Sequence, residues 1–293
     1  MYGIRKKTHT IFLVTILTIL SLIILVPMLY VLSVSFSTDK EIVEAGYQLI
    51  PKTFSLNAYQ QIFATSSIIF NAYAVTIFVT VVGTIMSLYL TTTIAYAASR
   101  KDFKYRKFLN MFLLFPLLFN GGMVSSFIVN TQILHLDNKI WALILPYGVN
   151  VWYAFMMKGF LSNLPFELIE AAHIDGAGEY QVFFKIILPI STAALATIGL
   201  FYAFAFWNDW WLAMLYINKN ELMPLQQLLQ RMLSNIEFYL SMMPAGMKES
   251  MGSIPVESTR MALTVIVVGP MLLVFPFFQK YFVKGVTVGS VKG

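Results

Sequence analysis

From Thr8 to Thr38, and again from Thr53 to Ser99, the chain carries no charged side chain. No other feature limits the fold as tightly. A soluble domain carries charge on about 25% of its residues, whereas here only 12% of 293 residues are charged and 58% are hydrophobic. A helix of about 20 apolar residues crosses the hydrocarbon core of a bilayer and satisfies its own backbone there. Further charge-free intervals run from Phe108 to Leu136, Ile140 to Met157, Ile186 to Asn208 and Met261 to Gln279. The intervals predict an all-α integral membrane protein with six transmembrane helices, near 11–35, 68–98, 108–132, 140–158, 189–216 and 260–281. They form one domain over 1–293, with a loop at 159–189 and a long loop at 218–259. Residues 53–66 form a separate segment ahead of the second span.

The first apolar run follows Arg5, Lys6 and Lys7, as a signal peptide's would. It is longer than the 7–15 residues of such a segment, and no small-residue cleavage site ends it. It reads as a retained helix, with a kink at Pro27. Pro116 and the pair Gly121-Gly122 interrupt the third span. Such breaks are tolerated where neighbours or water satisfy the backbone, so the interruption fits either a cavity-lining helix or a packing kink.

Basic residues concentrate on the cytoplasmic ends of membrane helices. With the amino terminus inside, 13 of the 20 basic residues fall on the cytoplasmic side, including Arg100, Lys101, Lys104, Arg106 and Lys107. The other 7, Lys248 among them, fall outside. Both termini and the 159–189 loop are then cytoplasmic, and the 218–259 loop is external. In that external loop Leu225, Leu228, Leu229, Met232, Leu233 and Ile236 recur at helical spacing. An amphipathic helix from about Pro224 to Tyr239 follows, lying on the membrane or serving as a landing surface.

Several chemistries lack their residues. There is no cysteine, hence no disulfide, thiolate metal site or cysteine nucleophile. No GxxxxGK[ST] phosphate loop and no metal-ligand cluster occurs, so no cofactor is expected. The net charge of +6 comes from residues flanking apolar spans, which argues for lipid headgroups as neighbours and not nucleic acid. An intramembrane enzyme would need paired catalytic groups at membrane depth, where only Asp209 is near. A secondary transporter would need several buried ionisable groups.

The 159–189 loop contains EAAHIDGAGEYQVFFKIILP, residues 170–189. Pro165 suits a first helical turn, and Glu167 and Glu170 sit early, where the helix dipole favours acids. Leu168, Ala171 and Ala172 share a face at i, i+3, i+4 spacing. Gly176 stands where the helix should stop in a left-handed turn. A second helix from about Glu179 presents Val182, Phe183, Ile186 and Ile187, ahead of Pro189.

Glu170, Ala171, Ala172, Gly176, Ile186, Leu188 and Pro189 stand at the spacing of the EAA loop of permease subunits of bacterial ATP-binding-cassette importers. The chain resembles that family over roughly 60–293. The resemblance implies a type I importer permease fold with a cytoplasmic EAA coupling hairpin in the bacterial cytoplasmic membrane. It also implies a second homologous permease, two ATPase subunits that hydrolyse the ATP, and an extracytoplasmic solute-binding lipoprotein. Glu170, Ala171, Ala172, His173, Asp175 and Gly176 would then face the ATPase.

The stretch FAFWNDWWLAML at 204–215 is similar to carbohydrate permeases of the maltose-transporter type. So is the tail KGVTVGSVKG at 284–293, and the tail and outer loop resemble the lipoprotein and polysaccharide uptake branch. A carbohydrate substrate, an oligosaccharide, is therefore expected, with a peptide or polyamine as the alternative solute. Trp207, Asn208 and Asp209 are candidates for the translocation pathway, in contact with sugar or in packing and gating. Trp207, Trp210 and Trp211 can also be read as an interfacial belt.

Overall fold

The computed structural model describes residues 2–64, 66–242 and 256–290. The described residues are helices joined by turns, without a strand. In order these are α1 (Tyr2–Ser35), α2 (Asp39–Ala45), α3 (Asn57–Ala64), α4 (Ser66–Ser99), α5 (Arg106–Leu118) and α6 (Gly122–Ile128). Then come α7 (Val151–Leu161), α8 (Glu167–Ile174), α9 (Glu179–Ile190), α10 (Thr192–Trp207), α11 (Trp211–Tyr216), α12 (Leu225–Met242) and α13 (Val256–Ser290). Residues 243–255 of the expected outer loop and 291–293 of the expected tail lie outside the described residues.

Among the described residues three helices are long and apolar enough to cross a membrane unaided: Thr10–Ser35, Ser67–Ser99 and Val256–Val274. Three bent pairs pass the same test of length and composition only when each pair is taken together. Arg106–Leu118 and Gly122–Ile133 meet at 115°, Ile140–Tyr147 and Val151–Leu161 at 49°, and Glu179–Ile190 and Thr192–Trp207 at 81°. The intervals 108–132, 140–158 and 189–216 are therefore not straight rods. The first break has a clear local cause. Gly122 takes φ +80°, open to a residue without Cβ, and Asn120 Oδ1 accepts from its amide at 2.8 Å.

The chain divides into two compact units, residues 1–67 with 229–269, and 68–228 with 270–293. In the first, acids tie loops to helix ends. Asp39 accepts from the amides of Glu257 (2.9 Å) and Ser258 (3.2 Å) and from the Ser258 hydroxyl (2.6 Å). It thus caps the start of α13, where amides lack intrahelical partners. Glu41 accepts from the amides of Lys52 (2.6 Å) and Thr53 (3.0 Å) and from the Thr53 hydroxyl (2.5 Å). Those bonds, the Thr53 hydroxyl first, hold its carboxyl below the ordinary range.

In the second unit the core joins α4, α7, α9, α10 and α11 around Tyr202, Met157, Ile187, Val182 and Ala213. A Cβ on Gly83 would lie 2.8 Å from the Phe206 ring, so glycine is what lets α4 approach α10. The Tyr202 hydroxyl shares a hydrogen with Thr91 at 2.6 Å and accepts from the Asn150 amide at 2.9 Å. One phenol thus satisfies two groups that burial would otherwise leave unpaired.

Candidate functional sites

Helix α8 ends at Ile174 with Asp175 as its cap. Gly176 follows at φ +81°. The Ala177 amide reaches back to Ala172 O at 2.9 Å and the Gly176 amide to His173 O at 3.0 Å. This is the paired-bond termination that calls for a left-handed residue just past the helix. Nothing lies within 4 Å of a Cβ placed on Gly176, so its glycine answers to conformation and not to crowding. After the turn α9 begins at Glu179 and widens into π-helical turns over Val182–Ile187.

The hairpin has an inner and an outer face. Ile169 and Ala172 are buried against the second unit's core, together with Val182, Phe183 and Ile187. Leu168 and Ala171 face out with Glu170, Ile174 and Asp175. Leu168, Ala171 and Ala172 neighbour one another at i, i+3, i+4 on the helix, but they do not share one environment: Ala172 is buried, and Leu168 and Ala171 are exposed. At about 100° per residue, an eight-residue helix carrying apolar side chains at 168, 169, 171, 172 and 174 has two such faces, and Ile169 with Ala172 is the one turned in. Ile174 is 86% exposed. Among the described residues the Glu170 carboxylate has no hydrogen-bond or ion-pair partner.

His173 turns toward α9, with Nε2 at 3.3 Å from Glu179 Oε1. Glu179 in turn meets a cation that sequence reasoning counted only for topology. Arg100, just past α4, is 7% exposed. Its Nε donates to Asp102 Oδ1 (2.7 Å) and one Nη to the Tyr96 hydroxyl (2.7 Å) and Glu179 Oε2 (3.2 Å). The other Nη donates to Asp102 Oδ2 and to Glu179 Oε1 (3.2 Å). The Tyr96 hydroxyl donates to Glu179 Oε2 at 3.0 Å. The guanidinium also lies 5.5 Å from the Tyr96 ring centroid and 5.9 Å from that of Phe166, within cation–π range. Asp102's hydrogen bond raises the already high Arg100 pKa, and Arg100 holds the Asp102 carboxyl below the ordinary range. The signal in the sequence was slight: an arginine directly after an apolar run, with an acid two positions on.

Asn208 and Asp209 lie between α10 and α11. Asp209 accepts from the Tyr147 hydroxyl at 2.9 Å and from the Leu212 amide at 3.2 Å. The Asn208 side-chain Nδ2 donates to Phe204 O at 2.9 Å, and its Oδ1 accepts from the Gln226 side-chain Nε2 at 3.1 Å. Both residues line a cavity of about 440 Å³. Its walls include Tyr147, Tyr153, Tyr202, Trp210 and Trp211, with Asn150 and no basic residue. Trp207 is not part of this lining and is 7% exposed, packed into the interior. Trp211 is 40% exposed, so the three tryptophans do not share one environment. Among the described residues no cluster of three metal-ligating side chains occurs.

Residues 91–288 match the family model described as "binding-protein-dependent transport system inner membrane component". The chain is 43% identical over 279 residues to the polygalacturonan/rhamnogalacturonan transport system permease protein YtcP of Bacillus subtilis, covering 94% of this chain and 96% of that one. It is 40% identical over 273 residues to the protein LplC of Bacillus subtilis, covering 92% and 90%. A chain of a bacterial ABC transporter involved in the import of the acidic polysaccharide alginate superposes with a TM-score of 0.82 at 27% identity, covering 94% of this chain and 97% of that one. Matched by the model over most of its length, this chain belongs to the inner-membrane permease components of binding-protein-dependent transport systems.

Proposed function

We propose that this chain is one half of the membrane pathway of an ATP-driven importer, that it carries an oligosaccharide, and that its α8–α9 hairpin is the contact through which ATPase subunits drive it. The observation that carries the transport reading is the 43% identity, over nearly the whole length of both chains, to a polysaccharide permease. The alternative of a peptide or polyamine has no such support.

The coupling reading rests on the hairpin. One face is welded to the core by Ile169, Ala172 and Val182, and the other offers Leu168, Ala171, Ile174 and an unpaired Glu170. An acid on a rigid apolar knob is what a groove with a basic residue would receive. Two ATPase subunits, a second homologous permease and a solute-binding lipoprotein complete the complex, with both termini and the hairpin in the cytoplasm. ATP hydrolysis belongs to the partner ATPases. ATP shifts the permease between inward-open and outward-open states only through its different affinity for the two.

The cavity at Asn208 and Asp209 is our candidate for the stretch of the pathway formed by this subunit. Aromatic faces suit pyranose rings, and Asn150, Asn208 and Asp209 suit hydroxyls. Its volume falls within the usual range of small-molecule sites, about 300–1,000 Å³. The test is reconstitution of the permease pair, ATPases and binding protein in liposomes. ATP-dependent uptake of labelled oligosaccharide is expected. Equal uptake by this chain alone, without ATP, would refute the half-pathway reading.

A further inference from the structure

We propose that Arg100 is the positioning residue that joins the hairpin to α4, so that a push on α8 moves α4 with it. This rests on the reading of the hairpin as the coupling contact. A guanidinium has five N–H donors in a rigid fork, and all five are engaged here by Asp102, Glu179 and Tyr96. The acceptors come from three places: Tyr96 on α4, Asp102 in the turn after it, and Glu179 at the head of α9. Phe166 at the start of α8 covers the same cation, and His173 in the last turn of α8 touches the same Glu179. One side chain therefore grips both arms of the hairpin and the end of a 34-residue helix.

The grip is at hydrogen-bond distance; Asp102 and Glu179 are half exposed, but the guanidinium itself is 7% exposed, so sliding would leave a buried cation short of partners. Elsewhere the hairpin meets the second unit's core through side chains such as Ile169 and Ala172, and apolar attraction, being non-directional, does not by itself give a hydrogen-bonded register. The directional fork supplies one. Lysine would keep the charge but not five donors in one plane.

Two arms test this in the reconstituted complex. In the first, Arg100→Lys and Glu179→Gln are compared with the unchanged chain for ATPase copurification, ATP hydrolysis and sugar moved per ATP. ATPase association and hydrolysis should persist, while sugar moved per ATP falls roughly two- to thirty-fold, the range over which such networks change coupling. An unchanged ratio in both variants would reduce Arg100 to a structural anchor and overturn the proposal. The second arm leaves Arg100 in place and so does not depend on its variants folding. The native chain has no cysteine, so Thr93→Cys and Glu167→Cys accept one spin label each, on α4 and at the head of α8. The distance between them should keep one narrow distribution with and without ATP. A shift of several ångströms on ATP binding, with transport intact, would show that hairpin and α4 move separately. If Glu170→Ala and Gly176→Val both leave ATPase association and transport untouched, it is the coupling reading that fails, whatever Arg100 does.

Discussion

Tyr147 and Asp209 meet at 2.9 Å across 62 positions of sequence, the phenol donating to the carboxylate. The same carboxylate accepts from the Leu212 amide at the start of α11. Asp209 therefore holds a helix end and a cavity wall together. Asp209→Ala should remove both bonds. Loss of a cap costs about 1 kcal/mol, and a buried hydroxyl left without its partner about 1–3 kcal/mol. Asp209→Asn keeps one oxygen to accept from Leu212 N, and its new NH2 can donate to the Tyr147 hydroxyl once that hydroxyl turns round, so it should be much milder. The check is thermal stability of the purified chain in detergent together with the KM for sugar in the complex. An Asp209→Ala variant as stable as the unchanged chain would mean that neither bond matters, and an Asp209→Asn variant as damaged as Asp209→Ala would mean that the charge, not the bonds, is what counts.

Gly176 sits at φ +81° with open space around its Cβ position. A left-handed conformation costs an ordinary L-residue roughly 1–2 kcal/mol, and asparagine bears it best after glycine. Gly176→Val should therefore reach the membrane but lose most ATPase association or transport, with Gly176→Asn close to normal. Uptake with each variant decides. Were valine and asparagine equally tolerated, the turn would not be setting the hairpin's shape.

The three long apolar helices were legible because a bilayer demands length and lack of charge, and both can be counted along a chain. The hairpin's turn was legible because Gly176 acts on its own backbone, whereas Pro165 precedes the helix, which opens at Glu167 after Phe166, and does not sit in its first turn. What could not be read depends on partners distant in sequence. Arg100 and Glu179 are 79 positions apart, and each alone looks like an ordinary charge near a membrane. Pro116 and Gly121-Gly122 flagged the 115° break, but no local residue states an angle. Trp207 and Trp211 look alike in an aromatic run, yet one is packed inside and the other half exposed. The inward face of α8 could not be chosen from eight residues that carry apolar side chains on two faces.

Asp102 gives a pH dependence with a definite sign. Arg100 depresses its folded pKa, so the pair stabilises the protein above the ordinary carboxylate range, and that stability is lost as pH falls from that range through the lowered folded pKa. Asp102→Asn should melt at a lower temperature than the unchanged chain at neutral pH, and the gap should close below about pH 4. Melting curves in detergent from neutral to acidic pH provide the measurement. A gap that widens toward low pH would contradict the assignment.

Topology can be read by single-cysteine labelling against a background free of native cysteine. The division of 13 basic residues against 7 puts Lys104 and Gly293 inside and Lys248 outside. An impermeant reagent should label Lys248→Cys in intact cells, and Lys104→Cys and Gly293→Cys only after permeabilisation. The opposite pattern would invert the orientation and remove the hairpin from reach of an ATPase.

Glu167 and Glu170 share α8, are both exposed, and differ in position. Glu167 opens the helix, where an acid gains from the dipole. Glu170 stands one turn on, beside Ala171 and Ile174 on the face turned away from the core. If that face docks in a groove, Glu170 enters it and loses water, whereas Glu167 stays at the rim. Removing one member of a desolvated ion pair costs roughly 3–5 kcal/mol because the other charge is stranded, while an exposed pair is worth at most about 1 kcal/mol. Glu170→Ala should therefore weaken ATPase copurification and sugar uptake strongly, and Glu167→Ala slightly. Comparable damage from both would place the contact at the helix start. No damage from either would withdraw Glu170 from the coupling contact and leave the outer face of α8 to apolar packing alone.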